Sequence, residues 1–207
     1  MAIHGPDILP ARIQTLATAG GRIGLLGGSF NPAHSAHLHI SLIALRRLQL
    51  DAVWWLVSPQ NPLKPVEGMA TLARRLARAR EIAQHPKIEV SAIEAALGTR
   101  YSVDTVAALQ SRFPSARFVW IMGGDSLASF HRWRRWEQLF RMLPIAVVAR
   151  PGFTIAALSS PAAIRFRPDR VQDDMRLADL AAPAWVFLQE RLDATSATAI
   201  RRSGSWQ

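Results

Sequence analysis

Residues 27–38 constrain the fold of this chain more than any other segment, because they join an apolar run to a helical pattern through a short turn. The apolar run spans residues 23–26, and the helical pattern spans residues 37–48. The turn contains glycines and two histidines, His34 and His37. Glycines let the backbone pass close to a ligand, and the free N–H groups of a first helical turn point toward negative charge. This strand, turn and helix therefore predict a phosphate-binding site.

The spacing of the two histidines fits that prediction. His34 and His37 are three residues apart, so they lie on one face of the helix if it has begun by His34. Their Cβ atoms would then be roughly 5–6 Å apart, which suits two donors on one polyphosphate. Either histidine alone is more often a helix cap or a solvated side chain than a ligand-binding group. The combination of both with the glycine turn favours phosphate binding.

Apolar β-rich runs alternate with helical patterns through most of the chain, which is typical of a parallel sheet with crossover helices. Several runs are continuously apolar, as expected for strands covered on both faces. The predicted strands are residues 22–26, 52–57, 87–90, 117–122, 145–149 and 185–188. The predicted helices are residues 35–48, 71–84, 102–113, a short pair within 125–141, and 197–202. The fold class is therefore α/β, with a parallel sheet and flanking helices.

The length and composition fit one globular domain. The chain has 207 residues, 49% of them hydrophobic, and we expect a domain over residues 21–207 behind an N-terminal extension of residues 1–20. The extension lacks the pattern of a secretory signal, and no window reaches the ~18 apolar residues of a membrane span. The absence of cysteine excludes disulfides and thiolate zinc sites. We expect a cytoplasmic protein, in which residues 159–180 form a loop-containing excursion. The oligomeric state stays open.

The formal net charge is +10, and almost all of the positive side chains are arginines. Such an excess fits nucleic-acid binding, an anionic small substrate or a coding bias toward arginine. The arginines are scattered, with four in residues 74–80 and three in residues 132–135, and the aromatic residues do not interleave with a basic stripe. We therefore expect no nucleic-acid or membrane partner, and a small anionic substrate would also benefit from this field. An arginine-rich nucleic-acid-binding protein is the remote alternative.

A second candidate site follows the predicted strand 117–122. The strand leads into two glycines and Asp125. A carboxylate after a Rossmann-type strand commonly accepts hydrogen bonds from ribose hydroxyls, and aspartate is equally common as a helix N-cap. Both interpretations of Asp125 stay open and are compatible. Ligands of open α/β sheets bind outside the carboxyl ends of the strands, where this motif and the histidine turn both fall.

A third candidate site lies in residues 195–201. Ser196 and Thr198 offer hydroxyl groups at a predicted helix start, and Arg201 adds a fixed cation about one turn along. Such an arrangement suits the outer phosphates of a nucleotide. The alternative is a capped terminal helix with an exposed arginine.

The first and third sites together resemble the nucleotidyltransferase superfamily. This resemblance implies that the parallel sheet is Rossmann-like. Residues 28–37 resemble its GxFxPxHxGH signature, with Ala36 where the second glycine of the signature is usual. Residues 195–201 resemble its ISxTxxR motif, with Thr195 where isoleucine is usual. The resemblance implies that His34, His37 and Arg201 are catalytic and contact the ATP phosphates. It implies further ATP contacts from Gly28, Ser29, Phe30, Asp125, Ser196 and Thr198.

Three shorter segments narrow the resemblance to the nicotinate-nucleotide adenylyltransferases. Residues 101–105 resemble that family's [ST]YTxDT segment, residues 130–133 its FxxW segment and residues 58–64 its substrate loop. The resemblance implies that Trp133 stacks on the pyridine ring, as an aromatic face attracts a cationic pyridinium. It implies a pyridine-nucleotide site made of Lys64, Tyr101, Ser102, Asp125, Trp133 and Arg134, with the backbone at Ser102 and Arg134 meeting the nicotinate carboxylate.

Taken without the resemblance, these residues have plainer interpretations. Trp133 would pack a short helix at a rim, Tyr101 would be a buried phenol, and Lys64 would be an exposed loop lysine. Asp104 is best interpreted as a helix cap.

The implied reaction transfers AMP from ATP to nicotinate mononucleotide, giving nicotinate adenine dinucleotide and pyrophosphate, a step of NAD biosynthesis. Mg²⁺ would arrive with ATP, because the sequence shows no carboxylate cluster for a dedicated metal site. The alternative acceptors are nicotinamide mononucleotide and another phosphate acceptor such as phosphopantetheine.

Overall fold

The structure is a computed structural model that describes residues 9–59, 68–190, 195 and 197–202. Its strands are β1 (Arg22–Gly28), β2 (Ala52–Val57), β3 (Ile88–Ser91), β4 (Arg117–Gly123), β5 (Ile145–Val148) and β6 (Trp185–Leu188). Its α-helices are α1 (Ala11–Thr18), α2 (Ser35–Arg47), α3 (Leu72–Ile82), α4 (Ile93–Leu97), α5 (Ser102–Arg112), α6 (Gly124–Ser129), α7 (Trp136–Met142), α8 (Thr154–Leu158), α9 (Pro161–Arg165) and α10 (Ala197–Arg202). Short 3₁₀ helices span Phe130–Arg132, Arg167–Asp169 and Leu177–Asp179.

The six strands form one parallel sheet in the order β3-β2-β1-β4-β5-β6. The chain first adds β2 and β3 on one side of β1, and it then crosses back to add β4, β5 and β6 on the other side. The order therefore reverses between β1 and β4, and their carboxyl ends border the crevice where doubly wound sheets bind ligands. The predicted α/β fold with a Rossmann-like parallel sheet is confirmed.

The continuous apolar runs are explained by helices on both faces of the sheet. All six residues of β2 are buried, and neighbouring side chains enter opposite cores. Trp54 meets the edges of Phe113 and Phe118, whereas Trp55 stacks on Phe30 with 5.1 Å between ring centroids. A strand buried on both faces has no polar side, so its residues need not alternate.

The predicted strands are all present, with ends that differ by at most two residues. The largest difference is in β1, which continues for two residues into glycines, and β4 likewise continues into one glycine, a residue that weakens strands in general. Gly27 is needed for packing, because a Cβ added there would lie 2.7 Å from the indole ring of Trp120. The predicted helices are also present, but α1, α4, α8 and α9 are additional to them.

Part of the segment predicted as an N-terminal extension is packed into the core. Leu9, Ile13 and Ala17 are at most 3% exposed and belong to the same apolar cluster as Trp54 and Trp120. Residues 9–18 therefore contribute to the body of the domain. We propose that the domain begins at or before Leu9 rather than at residue 21.

Residues 159–180 also pack on the domain. Phe166, which follows α9, is 3% exposed and stacks on Phe140 with 4.1 Å between ring centroids. In the part of the chain that the structure describes, no helix is both long and apolar enough to cross a membrane.

Candidate active site

A cavity of about 980 Å³ opens at the carboxyl ends of β1 and β4. Its volume lies at the upper end of the usual range for small-molecule sites. Every predicted site residue that the structure describes lines this cavity, namely Gly28, Ser29, Phe30, His34, His37, Tyr101, Ser102, Asp125, Trp133, Arg134, Thr198 and Arg201. Lys64 and Ser196 lie outside the described residues.

The turn between β1 and α2, residues 29–34, is called the histidine loop below. Phe30 has a left-handed backbone, with φ of +46°, which costs a non-glycine residue on the order of 1 kcal/mol. Its ring is 2% exposed, and the ring centroid lies 4.7 Å from that of His37. The strained backbone is therefore held by the burial of its own side chain.

His34 and His37 bind one another across the start of α2. The helix begins one residue after His34, so His34 precedes it as the N-cap. The backbone N–H of His34 donates to Nδ1 of His37, and the backbone N–H of His37 donates to the carbonyl oxygen of His34. The ring centroids are 4.0 Å apart. A neutral imidazole that accepts at Nδ1 carries its proton on Nε2, so His37 is oriented as a donor.

Ala36, the departure from the family signature, lies in the first turn of α2. It is 4% exposed and lines the cavity. Its methyl group is thus part of the wall beside the two histidines.

Asp125 lies in the first turn of α6 and forms an ion pair with Arg150, which follows β5. The N-cap of α6 is Gly123, two residues before Asp125, so the interpretation of Asp125 as the N-cap is wrong. The carboxylate instead folds back over Gly123, where an added Cβ would lie 2.5 Å from Oδ1. Arg150 also donates to the carbonyl oxygen of Thr195, at 3.0 Å. This arginine therefore links the end of β4 to the start of α10.

The third predicted site adjoins the histidine loop. The guanidinium of Arg201 donates to the carbonyl oxygen of Asn31 and, at 3.3 Å, to Oγ1 of Thr198. The hydroxyl of Ser35 donates to Oγ1 of Thr195 at 3.1 Å. The start of α10 and the start of α2 therefore approach one another at the cavity, as a shared phosphate site requires.

Aromatic side chains form another wall of the cavity. Trp133 meets Trp120 edge-on, with 6.2 Å between ring centroids, and lies 5.0 Å from Phe130. It is half-buried, so the packing interpretation is correct for part of the ring while the rest faces the cavity. The guanidinium of Arg134 lies 4.9 Å from the ring centroid of Tyr101, within the range of a cation–π contact. Tyr101 is half-buried rather than a buried phenol.

Asp104 lies in the first turn of α5, whose N-cap is Tyr101, and its hydrogen bond is to Arg135 rather than to the helix backbone, which corrects its interpretation as a cap. It pairs with Arg135, outside the cavity wall that the structure describes. In the first turn of α5 its negative charge still favours the helix N-terminus.

A buried carboxyl group in the cavity wall was not predicted. Glu94 is 5% exposed, and its Oε1 accepts a hydrogen bond from Oγ1 of Thr105 at 3.3 Å. Burial raises the pKa of Glu94 to about 7, and the hydrogen bond from Thr105 opposes this only in part. The one feature of the sequence that could have indicated burial of Glu94 is that it is the single carboxylate within the short apolar segment 92–97.

The histidines and carboxylates that the structure describes do not form a metal cage. Among the described residues, no group of three or more histidine, aspartate or glutamate side chains could hold a metal ion. Asp125 is engaged by Arg150, and burial raises the pKa of Glu94 to about 7.

Comparisons with known proteins agree with this arrangement. A family model described as cytidylyltransferase-like matches residues 25–203. A protein of Parvibaculum lavamentivorans named "Probable nicotinate-nucleotide adenylyltransferase" is 55% identical over 195 residues, covering 93% of this chain and 97% of that protein. A protein of Bradyrhizobium sp. with the same name is 54% identical over 189 residues, covering 90% and 98%.

Solved structures share the fold. The nicotinic acid mononucleotide adenylyltransferase of Plasmodium falciparum, complexed with NaAD, superimposes with a TM-score of 0.66 and covers 88% of this chain and 83% of that chain. At 14% identity this likeness supports the fold alone. The sequence relatives support the assignment to a family as well as to a fold, because this chain is similar to them over nearly their whole length. The chain belongs to the nicotinate-nucleotide adenylyltransferases, within the cytidylyltransferase-like family.

Proposed function

We propose that this chain transfers AMP from ATP to nicotinate mononucleotide, giving nicotinate adenine dinucleotide and pyrophosphate. The observation that supports the proposal most is the cavity at the carboxyl ends of β1 and β4, where the strand order of the sheet reverses. It joins a fixed histidine donor, His37, to a cation, Arg201, and to an aromatic wall at Trp133. The family membership of the chain supports the same activity.

The reaction requires little covalent chemistry from the protein. A phosphate oxygen of nicotinate mononucleotide forms a bond to the α-phosphorus of ATP. The bond from that phosphorus to the bridging oxygen breaks, and pyrophosphate leaves with the electron pair. The attacking phosphate is already an anion at neutral pH, so neither a covalent intermediate nor a strong base is needed. The protein must align two polyanions and neutralise charge in the transition state.

The histidine loop and α10 would hold the triphosphate. His37 would donate from Nε2 to the α-phosphate, where charge develops, and His34 would assist it. Arg201, with Ser196 and Thr198, would bind the outer phosphates. Gly28, Ser29 and Phe30 would supply the close backbone approach on the opposite side of the phosphates.

The aromatic wall would hold the acceptor nucleotide. Trp133 would stack on the pyridine ring, and backbone groups at Ser102 and Arg134 would meet the nicotinate carboxylate. Tyr101 and Lys64 would complete this part of the site. Asp125 would accept from ribose hydroxyls, with Arg150 holding its carboxylate in place.

We propose that the divalent metal is Mg²⁺ and that it enters bound to ATP, as part of the substrate. Mg²⁺ typically combines one or two protein carboxylates with substrate phosphates, which fits a cavity without a carboxylate cluster in its described wall. When bound, the ion would neutralise charge on the departing pyrophosphate.

The test is pyrophosphate release from ATP with each of three acceptors: nicotinate mononucleotide, nicotinamide mononucleotide and 4′-phosphopantetheine. We expect the highest kcat/KM with nicotinate mononucleotide. A higher kcat/KM with either other acceptor would refute the proposed substrate, and no pyrophosphate release with any of them would refute the proposed reaction.

A further inference from the structure

Arg75 in α3 is a buried cation that ties three backbone segments together. It is 1% exposed. Its Nη1 donates to the carbonyl oxygens of Ser29 and Ser58, at 2.6 and 2.7 Å. Its Nη2 donates to the carbonyl oxygen of Pro59 at 2.8 Å, and its Nε donates to that of Ala70 at 3.0 Å. The histidine loop, the end of β2 and the approach to α3 therefore meet at one guanidinium.

The charge of Arg75 is compensated mainly by these carbonyl groups. Within the described ranges, it makes no hydrogen bond to a carboxylate, and burial lowers the pKa of its guanidinium. Arginine nevertheless stays protonated in proteins. A buried charge is costly unless it is well hydrogen-bonded, so the four bonds fix the side chain in one geometry. The same bonds fix the directions of the four carbonyl groups.

One of these carbonyl groups controls a donor in the histidine loop. The carbonyl of Ser29 and the N–H of Phe30 belong to one planar trans peptide, so they point in opposite directions. Because the carbonyl points at Arg75, the N–H points away from it. This N–H has no hydrogen-bond acceptor among residues 9–59, 68–190, 195 and 197–202. Ser29 and Phe30 line the cavity, whereas Arg75 is not part of its described wall.

We propose that Arg75 is a positioning residue for phosphate binding. By holding the carbonyl of Ser29, it presents the N–H of Phe30 to a phosphate of the bound nucleotide. Its bonds to Ser58 and Pro59 anchor this peptide to the end of β2. Arg75 acts through the backbone and does not touch the substrate. The inference rests on the proposed function only in taking ATP as the source of that phosphate.

The first test compares Arg75→Lys with Arg78→Lys. Lysine keeps the charge but lacks the planar fork that reaches several carbonyls. Arg78 is a matched control, because it lies in the same helix, its side chain is 42% exposed and it pairs with Glu81. We expect Arg75→Lys to lower kcat/KM for ATP about 100-fold and Arg78→Lys to leave it unchanged. Folded Arg75→Lys protein with the kcat/KM of the control would overturn the proposal.

Inhibition by adenosine separates positioning from a general loss of structure. Adenosine has no phosphate, so we expect its inhibition constant to change less than about threefold in folded Arg75→Lys. Equal losses of affinity for adenosine and ATP would contradict a role confined to the phosphates.

A measurement on the wild-type chain needs neither a variant nor turnover. We expect hydrogen exchange at the Phe30 amide, followed by NMR, to slow at least about tenfold on adding ATP and to stay unchanged on adding adenosine. No protection by ATP would overturn the proposal even if Arg75→Lys failed to fold. Pyrophosphate release by the wild-type chain tests the proposed function separately, so the two failures are distinguishable.

Discussion

The backbone N–H of His34 donates a hydrogen bond to Nδ1 of His37, with 3.2 Å between the two nitrogens. The reverse bond, from the N–H of His37 to the carbonyl oxygen of His34, closes the first turn of α2. The same pair of residues therefore caps the helix and selects the tautomer of His37. A structural role and the proposed chemical role coincide in the side chain of His37, and substitutions can separate them.

His37 should contribute to kcat rather than to ATP affinity. We expect His37→Ala to lower kcat about 100-fold or more while KM for ATP changes less than about threefold, because its donor matters most where charge develops. Steady-state kinetics of pyrophosphate release measures both constants.

Two further variants separate the capping acceptor from the cavity donor. The amide of His37→Asn can replace Nδ1 and retain the cap, whereas that of His37→Gln reaches farther and can replace the Nε2 donor. We expect His37→Gln to keep more activity and His37→Asn to keep more stability against urea. A His37→Asn variant with near wild-type kcat would remove His37 from the chemistry.

Trp133 should discriminate between the two substrates. We expect Trp133→Ala to raise KM for nicotinate mononucleotide about tenfold, since a cation–π contact is worth roughly 0.5–2 kcal/mol, and to leave KM for ATP largely unchanged. Trp133→Phe keeps a ring and should lose less. Because Trp133 also packs on Trp120 and Phe130, thermal unfolding must first show that the variants are folded. An equal loss for both substrates would argue against stacking.

The sheet could be predicted because its strands carry a local signal. Each strand is a continuous apolar run between turns, and β2 is buried along its whole length. Helices α4, α8 and α9 have five residues each, little more than one turn, so they leave no repeating apolar pattern. Helix α1 carries no acidic first turn and no side-chain cap, and it is held by packing of Ile13 and Ala17.

The residues that line the cavity could be predicted where they lie in a compact motif, as His34 and His37 do. Arg75 and Arg150 have no such local signal, because their roles depend on partners far along the chain. Arg75 binds a carbonyl 46 residues away, and Arg150 binds one 45 residues away. Their sequence neighbourhoods resemble those of exposed arginines, and only the fold brings the carbonyls to them.

Asp125 should recognise a ribose hydroxyl. A hydrogen bond to a charged acceptor contributes about 1.5–3 kcal/mol, so we expect 2′-deoxy-ATP or 3′-deoxy-ATP to lose at least about tenfold in kcat/KM with the wild-type chain. In Asp125→Ala the same analogues should lose less than about twofold relative to ATP. The control is Asp104→Ala, which removes a carboxylate from another helix start, outside the described cavity wall. It should discriminate between ATP and the deoxy analogues as the wild type does. Unchanged discrimination in Asp125→Ala would exclude ribose recognition.

Glu94 should make stability depend on pH. Its pKa is about 7 in the folded chain against an ordinary value of 4.5, so the unfolded chain releases this proton first. Below pH 4.5, Glu94 therefore does not lower the stability of the folded state. Its contribution lowers the stability as the pH rises from 4.5 to 7, and above pH 7 this contribution stays constant. The expected loss is about 3 kcal/mol over this interval.

The matched variant is Glu94→Gln, which keeps an acceptor for Thr105 but does not ionise. Urea unfolding of both chains at several pH values isolates Glu94, because the contributions of all other groups cancel in the difference. We expect the variant to gain stability over the wild type steadily between pH 4.5 and 7 and by a constant amount above pH 7. A difference that does not vary with pH would show that Glu94 ionises alike in the folded and unfolded chains, and that its burial does not keep it protonated.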